Sequence, residues 1–173
     1  HAALARWSRE GFLLQHLYAA RAEVYADLYQ GRAAEAWQRV QDAWPRIENA
    51  FFLRTPITRI DSRLMRARAA LAVAANAASG ADDLLRSCEA EARLLEKERR
   101  PDTTAHAATL RAGVAQLRGD RDRALALLGA AEQAYERAEM ALSRACVQRR
   151  RGELAGGDER FELSDRPVGE QLG

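Results

Sequence analysis

One four-residue stretch restricts the possible folds more than any other. Leu117-Arg118-Gly119-Asp120 lies between two apolar stripes of helical spacing. Upstream, Ala108, Ala112, Val114 and Ala115 mark one stripe. Downstream, Ala124, Leu127, Leu128, Ala131 and Tyr135 fall at i, i+3, i+4, i+7 and i+11. Gly119 fits a helix C′ position, where positive φ penalises a β-carbon. Asp120 fits the next N-cap, its carboxylate facing orphan N–H groups at a positive helix end. The spacing predicts two antiparallel helices over Ala107–Ala138, one ending at Gly119 and one starting at Asp120. Small residues at Ala112, Ala124 and Ala131 let them approach closely.

The unit recurs. Turn glycines stand at 31, 80, 119 and 157, at intervals of 49, 39 and 38. The longer first interval has its excess around Phe51–Ile60. Twelve residues beyond the first three glycines stand Ala43, Ala92 and Ala131, and five beyond stand Ala36, Leu85 and Ala124. Nine beyond stand Val40, Glu89 and Leu128, where the glutamate breaks the pattern. A helix pair cannot bury its own apolar face, so pairs repeating at this period stack into a solenoid. The expected fold is therefore all-α, an α-solenoid of antiparallel helix pairs with about seven helices. Residues 1–11 read as a weak helical lead-in anchored by Trp7, 12–158 as the repeat domain, and 159–173 as an irregular tail.

Taken in order, the first helix is expected over Phe12–Gln30. The second carries Ala33, Trp37, Val40, Trp44, Ile47 and Phe51 on one face, with a kink rather than a break at Pro45. Thr55 as N-cap and Pro56 in the first turn signal the start of the third, which runs to about Ala78. Its second half, Ala67–Ala78, is almost all alanine and valine, which suits a helix squeezed between two neighbours. Ser79-Gly80 ends it. Asp82 and Asp83 favour the first turn of the fourth. Asp102, Thr103 or Thr104 is expected to cap the fifth. The seventh spans about Glu139–Leu154 and stops at Gly156-Gly157-Asp158.

Composition narrows the function. The 173 residues are enough for a real core, and net charge is only +2. No apolar run approaches the roughly 20 residues of a membrane span. The 26 arginines against one lysine, Lys97, point to a GC-rich, bacterial genome. Cys88 and Cys146 read as reduced packing thiols, which suits the cytoplasm. Residue 1 is His, so the chain reads as cut from something longer or as starting with a tag residue; no signal peptide is visible. Kinase motifs and a P-loop are missing from the sequence, and His1, His16 and His106 lack the spacing of a zinc helix. No catalytic residue, cofactor or metal is expected. Arg99-Arg100 and Arg149-Arg150-Arg151 are interleaved with acids and lack aromatic neighbours. They predict a salt-bridged face, with nucleic acid excluded as a partner.

Gly119-Asp120 with Ala112, Ala124 and Ala131 resembles the tetratricopeptide repeat. Three stretches resemble something narrower: Ala43-Trp44-Pro45-Arg46-Ile47-Glu48; Arg59-Ile60-Asp61 with Arg66-Ala67-Arg68-Ala69-Ala70-Leu71; and the run from Arg149 to Glu159. They are similar to the C-terminal helical-repeat region of large bacterial serine/threonine protein kinases of the myxobacterial type. There a kinase domain and an ATPase module precede tetratricopeptide-like repeats. The resemblance implies a non-catalytic regulatory or scaffold segment for signal transduction. Its partner would be a protein or peptide, including another domain of the same polypeptide. The other reading is a structural or oligomerisation element of a larger multidomain protein.

In tetratricopeptide-like stacks the first helix of each pair lines a groove. Counting back thirteen, ten and six residues from each turn glycine places Tyr18, Arg21 and Tyr25 there. The later pairs add Ala67, Ala70 and Ala74, then His106, Thr109 and Gly113, then Arg144, Val147 and Arg151. This predicts an aromatic-basic end, a smooth alanine floor and a basic end. Such a groove suits an extended peptide or acidic helix, with Arg21 and Arg63 or Arg144 pairing its carboxylates.

Overall fold

The computed structural model describes residues 11–77 and 80–156. The expectations for the lead-in around Trp7, for Ala78 and Ser79, for the Gly157-Asp158 stop and for the tail lie outside the described residues. Among the described residues there are seven helices and no strand. They are α1 (Leu14–Tyr29), α2 (Ala33–Asn49), α3 (Pro56–Asn76), α4 (Asp82–Glu96), α5 (Pro101–Leu117), α6 (Arg121–Arg137) and α7 (Ala141–Gly156), with a 3-10 turn at Phe52–Arg54. Most packing is between adjacent antiparallel helices, and α3 also touches α1 and α5.

The apolar side chains divide into three cores, each built by three consecutive helices. Leu17, Val24, Ala36, Val40, Ala43, Ile47, Met65 and Ala69 join α1, α2 and α3. Leu64, Ala67, Ala74, Leu85, Cys88, Ala92, Leu95, Ala107, Leu110 and Val114 join α3, α4 and α5. Ala105, Ala108, Ala112, Leu128, Ala131, Ala134, Tyr135 and Val147 join α5, α6 and α7. So α3 and α5 each serve two cores, from opposite sides. That is why both are rich in alanine: a helix packed on two flanks leaves little room for branched side chains. At Gly113 on α5 the two helices pack tightly. A β-carbon there would meet Leu71 Cδ2 of α3 at 2.6 Å.

The α5–α6 corner follows the expectation. The Asp120 N–H donates to the Ala115 carbonyl (2.9 Å) and the Gly119 N–H to that of Gln116 (3.0 Å), with Gly119 at φ +78°. This is a Schellman closure, and the Asp120 carboxylate then accepts from the Arg123 N–H at 3.1 Å. The α6–α7 corner has the same geometry without glycine: Met140 N–H donates to Tyr135 O and Glu139 N–H to Glu136 O, both at 3.0 Å, with Glu139 at φ +56°. A side chain in left-handed backbone is penalised. Glu139 is exposed, and its side chain has no hydrogen bond or ion pair among the described residues. Glu139→Gly is expected to stabilise the protein by about 0.5–1 kcal/mol. Urea unfolding checks this; a lower midpoint would contradict the strain argument.

Four expectations need correction. Phe51 does not continue the α2 stripe; it turns left-handed at φ +60° and lies 59% exposed, with the Arg54 guanidinium 4.2 Å above its ring. The α5 N-cap is Arg100, because Pro101 already occupies the first turn, where its missing N–H is harmless. The Thr103 and Thr104 hydroxyls instead donate to Arg100 O, at 3.1 and 2.9 Å. The Thr55 side chain makes no cap bond, although α3 does start after it. Finally, Cys146 is exposed rather than packed, while Cys88 is buried; both are free thiols. Burial pushes the Cys88 thiol up to about 12, so it stays protonated and inert. α2 runs unbroken through Pro45.

Candidate docking face

The groove prediction rests on register, and register holds in one direction only. Counting forward from the glycines works: Ala36, Leu85, Ala124, Ala43, Ala92 and Ala131 are all buried. Counting back works for α1 and α5, whose last residues, Tyr29 and Leu117, stand two positions before Gly31 and Gly119. It fails for α3. The chain turns extended at Ala77 (ψ 127°), so the helix ends at Asn76, four positions before Gly80. A two-residue slip is about 200° around a helix. Ala67, Ala70 and Ala74 therefore lie inside, at 0, 0 and 4% exposure, and form no open floor. Measured from the helix end, Arg68 is the residue that matches Arg21 and Thr109, each eight positions before the last residue.

With that register, a line of polar and aromatic side chains crosses α1, α3 and α5. Tyr18 is exposed, with the Arg21 guanidinium 4.9 Å above its ring. Arg21 is ion-paired with Asp61 of α3. Arg68, one turn pair further along α3, lies 5.8 Å over the half-buried Tyr25 ring. On α5, His106 Nδ1 and the Tyr135 hydroxyl share a hydrogen bond of 2.8 Å, their rings meeting edge to face. The Thr109 hydroxyl donates to Ala105 O at 2.9 Å and lies 3.5 Å from the Tyr135 hydroxyl. Burial, then the positive charge of Arg68, hold the His106 imidazole down to about 4, against weaker pulls from Asp102 and Asp61. The ring is therefore neutral at pH 7. Burial also raises the Tyr135 phenol.

The remaining predicted residues are engaged elsewhere. Arg63 donates to Glu91 of α4 at 2.8 Å, and Arg66 sits 3.4 Å from the same carboxylate while its guanidinium lies 4.3 Å over Trp44. Arg144 pairs with Glu136 (2.9 Å) and Arg151 with Glu132 (2.6 Å), both on α6. Val147 is buried. Arg149 and Arg150 share Glu153, at 2.9 and 3.2 Å, and Arg100 pairs with Asp102 at 3.0 Å, as expected of a salt-bridged surface. Several pairs are two-pronged: Arg59 Nε and Nη2 donate to the two Glu98 oxygens at 2.6 and 2.7 Å. A lysine cannot make that fork. Three residues of the face escaped the sequence reading: Asp61, Arg68 and Tyr135. Arg68 had a signal, being the only charge between Ala67 and Ala75.

No family model, curated protein or solved structure matches this chain. Among the described residues no group of His, Cys, Asp or Glu could hold a metal ion, and no helix is long and apolar enough to cross a membrane. The face offers two guanidinium groups over aromatic rings, a neutral imidazole and three phenols. Such a set can make stacking, ionic and hydrogen-bonding contacts with a ligand.

Proposed function

We propose that this chain is a non-catalytic protein-binding or regulatory module, an α-solenoid of tetratricopeptide-like helix pairs that docks a protein segment across α1, α3 and α5. One observation carries the reading: α3 and α5 are buried on two flanks by shared cores, yet a third side keeps polar groups, with Asp61 of α3 ion-paired to Arg21 of α1, Arg68 of α3 exposed, and His106 and Thr109 of α5 partly exposed. Core packing has no need of Tyr18 or Arg68. The resemblance to myxobacterial-type kinases supports a place in the C-terminal sensor or scaffold region of a bacterial signalling protein. The test is photo-crosslinking in the source cell, with the reactive group at Tyr18 or Ala75 and a control at Arg123 on α6. A partner captured at the first two positions and missing at the third supports docking, provided charge reversal at Arg21 abolishes capture. Equal capture at all three removes the basis for a face.

One feature favours the second reading, an oligomerisation element. Leu142 on α7 is 80% exposed, and Ala145 and Cys146 beside it are exposed too. Light scattering separates the two: a dimer lost on Leu142→Arg, with no partner at Tyr18, favours assembly.

A further inference from the structure

Resting on that docking reading, the geometry points to Arg68 as the anchor for a side-chain carboxylate on an extended segment of a partner protein, seated between Tyr25 and His106. The argument is one of charge complementarity. Guanidinium groups in this protein are mostly matched by its own acids. On this face Arg21 has Asp61, and beyond it Arg144 has Glu136. Arg68 is exposed, and among the described residues no carboxylate pairs with it. Its contact is with the Tyr25 ring, 5.8 Å from the centroid. Stacking uses the flat side of a guanidinium and leaves its N–H edge for an in-plane, two-pronged acceptor.

The surroundings select among anions. A nucleic-acid backbone needs a track of unpaired cations, and one lone arginine beside a matched Arg21–Asp61 pair provides none. Instead the neighbours are apolar or aromatic: Tyr25 behind Arg68, Ala75 exposed one heptad along α3, Tyr18 on α1, and the His106 ring of α5 against the Tyr135 ring of α6. A peptide with one acid flanked by apolar side chains fits this better than a polyanion. The titratable and charged groups facing the imidazole are Arg68 and Asp61 from α3, Asp102 from α5 and Tyr135 from α6. A carboxylate arriving on Arg68 offsets the nearest positive charge, so binding should move the His106 titration upward. That gives a readout inside the protein.

The experiment is selection of random linear peptides of about a dozen residues, displayed on phage, against the intact chain. The expected result is enrichment of peptides with one Asp or Glu among apolar residues. Their affinity should fall at least about tenfold for Arg68→Gln and stay unchanged for Arg149→Gln, which lies on the outer side of α7. The His106 ring signals should titrate at higher pH with peptide bound, and not in Arg68→Gln. Acid-containing peptides that bind Arg68→Gln equally well overturn the anchor. Peptides without acids that crosslink at Tyr18 overturn it too, but leave the docking face intact. Recovery of no peptide at all counts against both. Competition of the selected peptide by millimolar inorganic phosphate would show a small-anion site and reject the polypeptide occupant.

Discussion

Glu91→Ala is expected to remove about 3 kcal/mol of stability, the largest loss from any single polar group described above. Glu91 is 5% exposed in the middle of α4, and its carboxylate holds Arg63 at 2.8 Å and Arg66 at 3.4 Å. Deleting the acid removes the carboxylate that the two α3 guanidinium groups share and leaves both without an ion-pair partner among the described residues. Arg63 is the less able to recover by hydration, its side chain being 16% exposed against 30% for Arg66. For a chain of this size the midpoint of thermal unfolding should fall by roughly 6–12 °C. The paired replacement Arg63→Met with Glu91→Met removes donor and acceptor together and should recover most of the loss. Circular dichroism melts of the single and paired variants check this. A single variant within a degree or so of the parent would mean that the pairs contribute nothing.

The second large effect is a dependence on pH. His106 titrates near 4 in the folded chain, against an ordinary value near 6.5. Between those values the unfolded chain binds a proton that the folded chain refuses. Stability therefore rises with pH across that window and falls as the solution is acidified from 6.5 towards 4. Two and a half units correspond to about 3 kcal/mol; allowing for the ring's partial exposure, about 2–3 kcal/mol is expected. The depressed carboxyls of Asp27 and Glu98, each held down first by hydrogen bonds from arginine, act in a lower window. Their contribution is complete above about 4.5 and is lost only as pH falls further. His106→Gln should flatten the urea-unfolding free energy between pH 4.5 and 6.5 while leaving the later acid loss in place. An unchanged slope would show that the imidazole is not held neutral.

How much of this could be read from the residues depends on where the polar punctuation falls. The α5–α6 corner was legible because glycine and aspartate stand side by side at Gly119-Asp120. The three second helices were legible because each starts two residues after its turn glycine. The α4–α5 and α6–α7 corners use Arg99 and Glu139 in left-handed backbone, where no glycine marks the turn. The α3 register was lost because helix end and glycine are separated by an irregular step from Ala77, which no residue type announces. In a run of alanines every face looks alike, and only Arg68 marks the outside. Glu91 was missed for the opposite reason. It stands three residues after Cys88 on the buried stripe, where the apolar pattern hides a charge that arginines from another helix neutralise.

The central claim is that α1, α3 and α5 present one partner-binding side, with the α3 alanines turned inward. Thiol labelling tests it most directly, in a Cys146→Ser background where the remaining Cys88 is buried. Single cysteines replace Tyr18, Ala75, Ala70 or Leu142, and each is labelled with and without a saturating selected peptide. Fast labelling at 18, 75 and 142 and slow labelling at 70 is predicted, with peptide protecting 18 and 75 but not 142. Fast labelling at 70, or protection at 142 with none at 18 and 75, would contradict it.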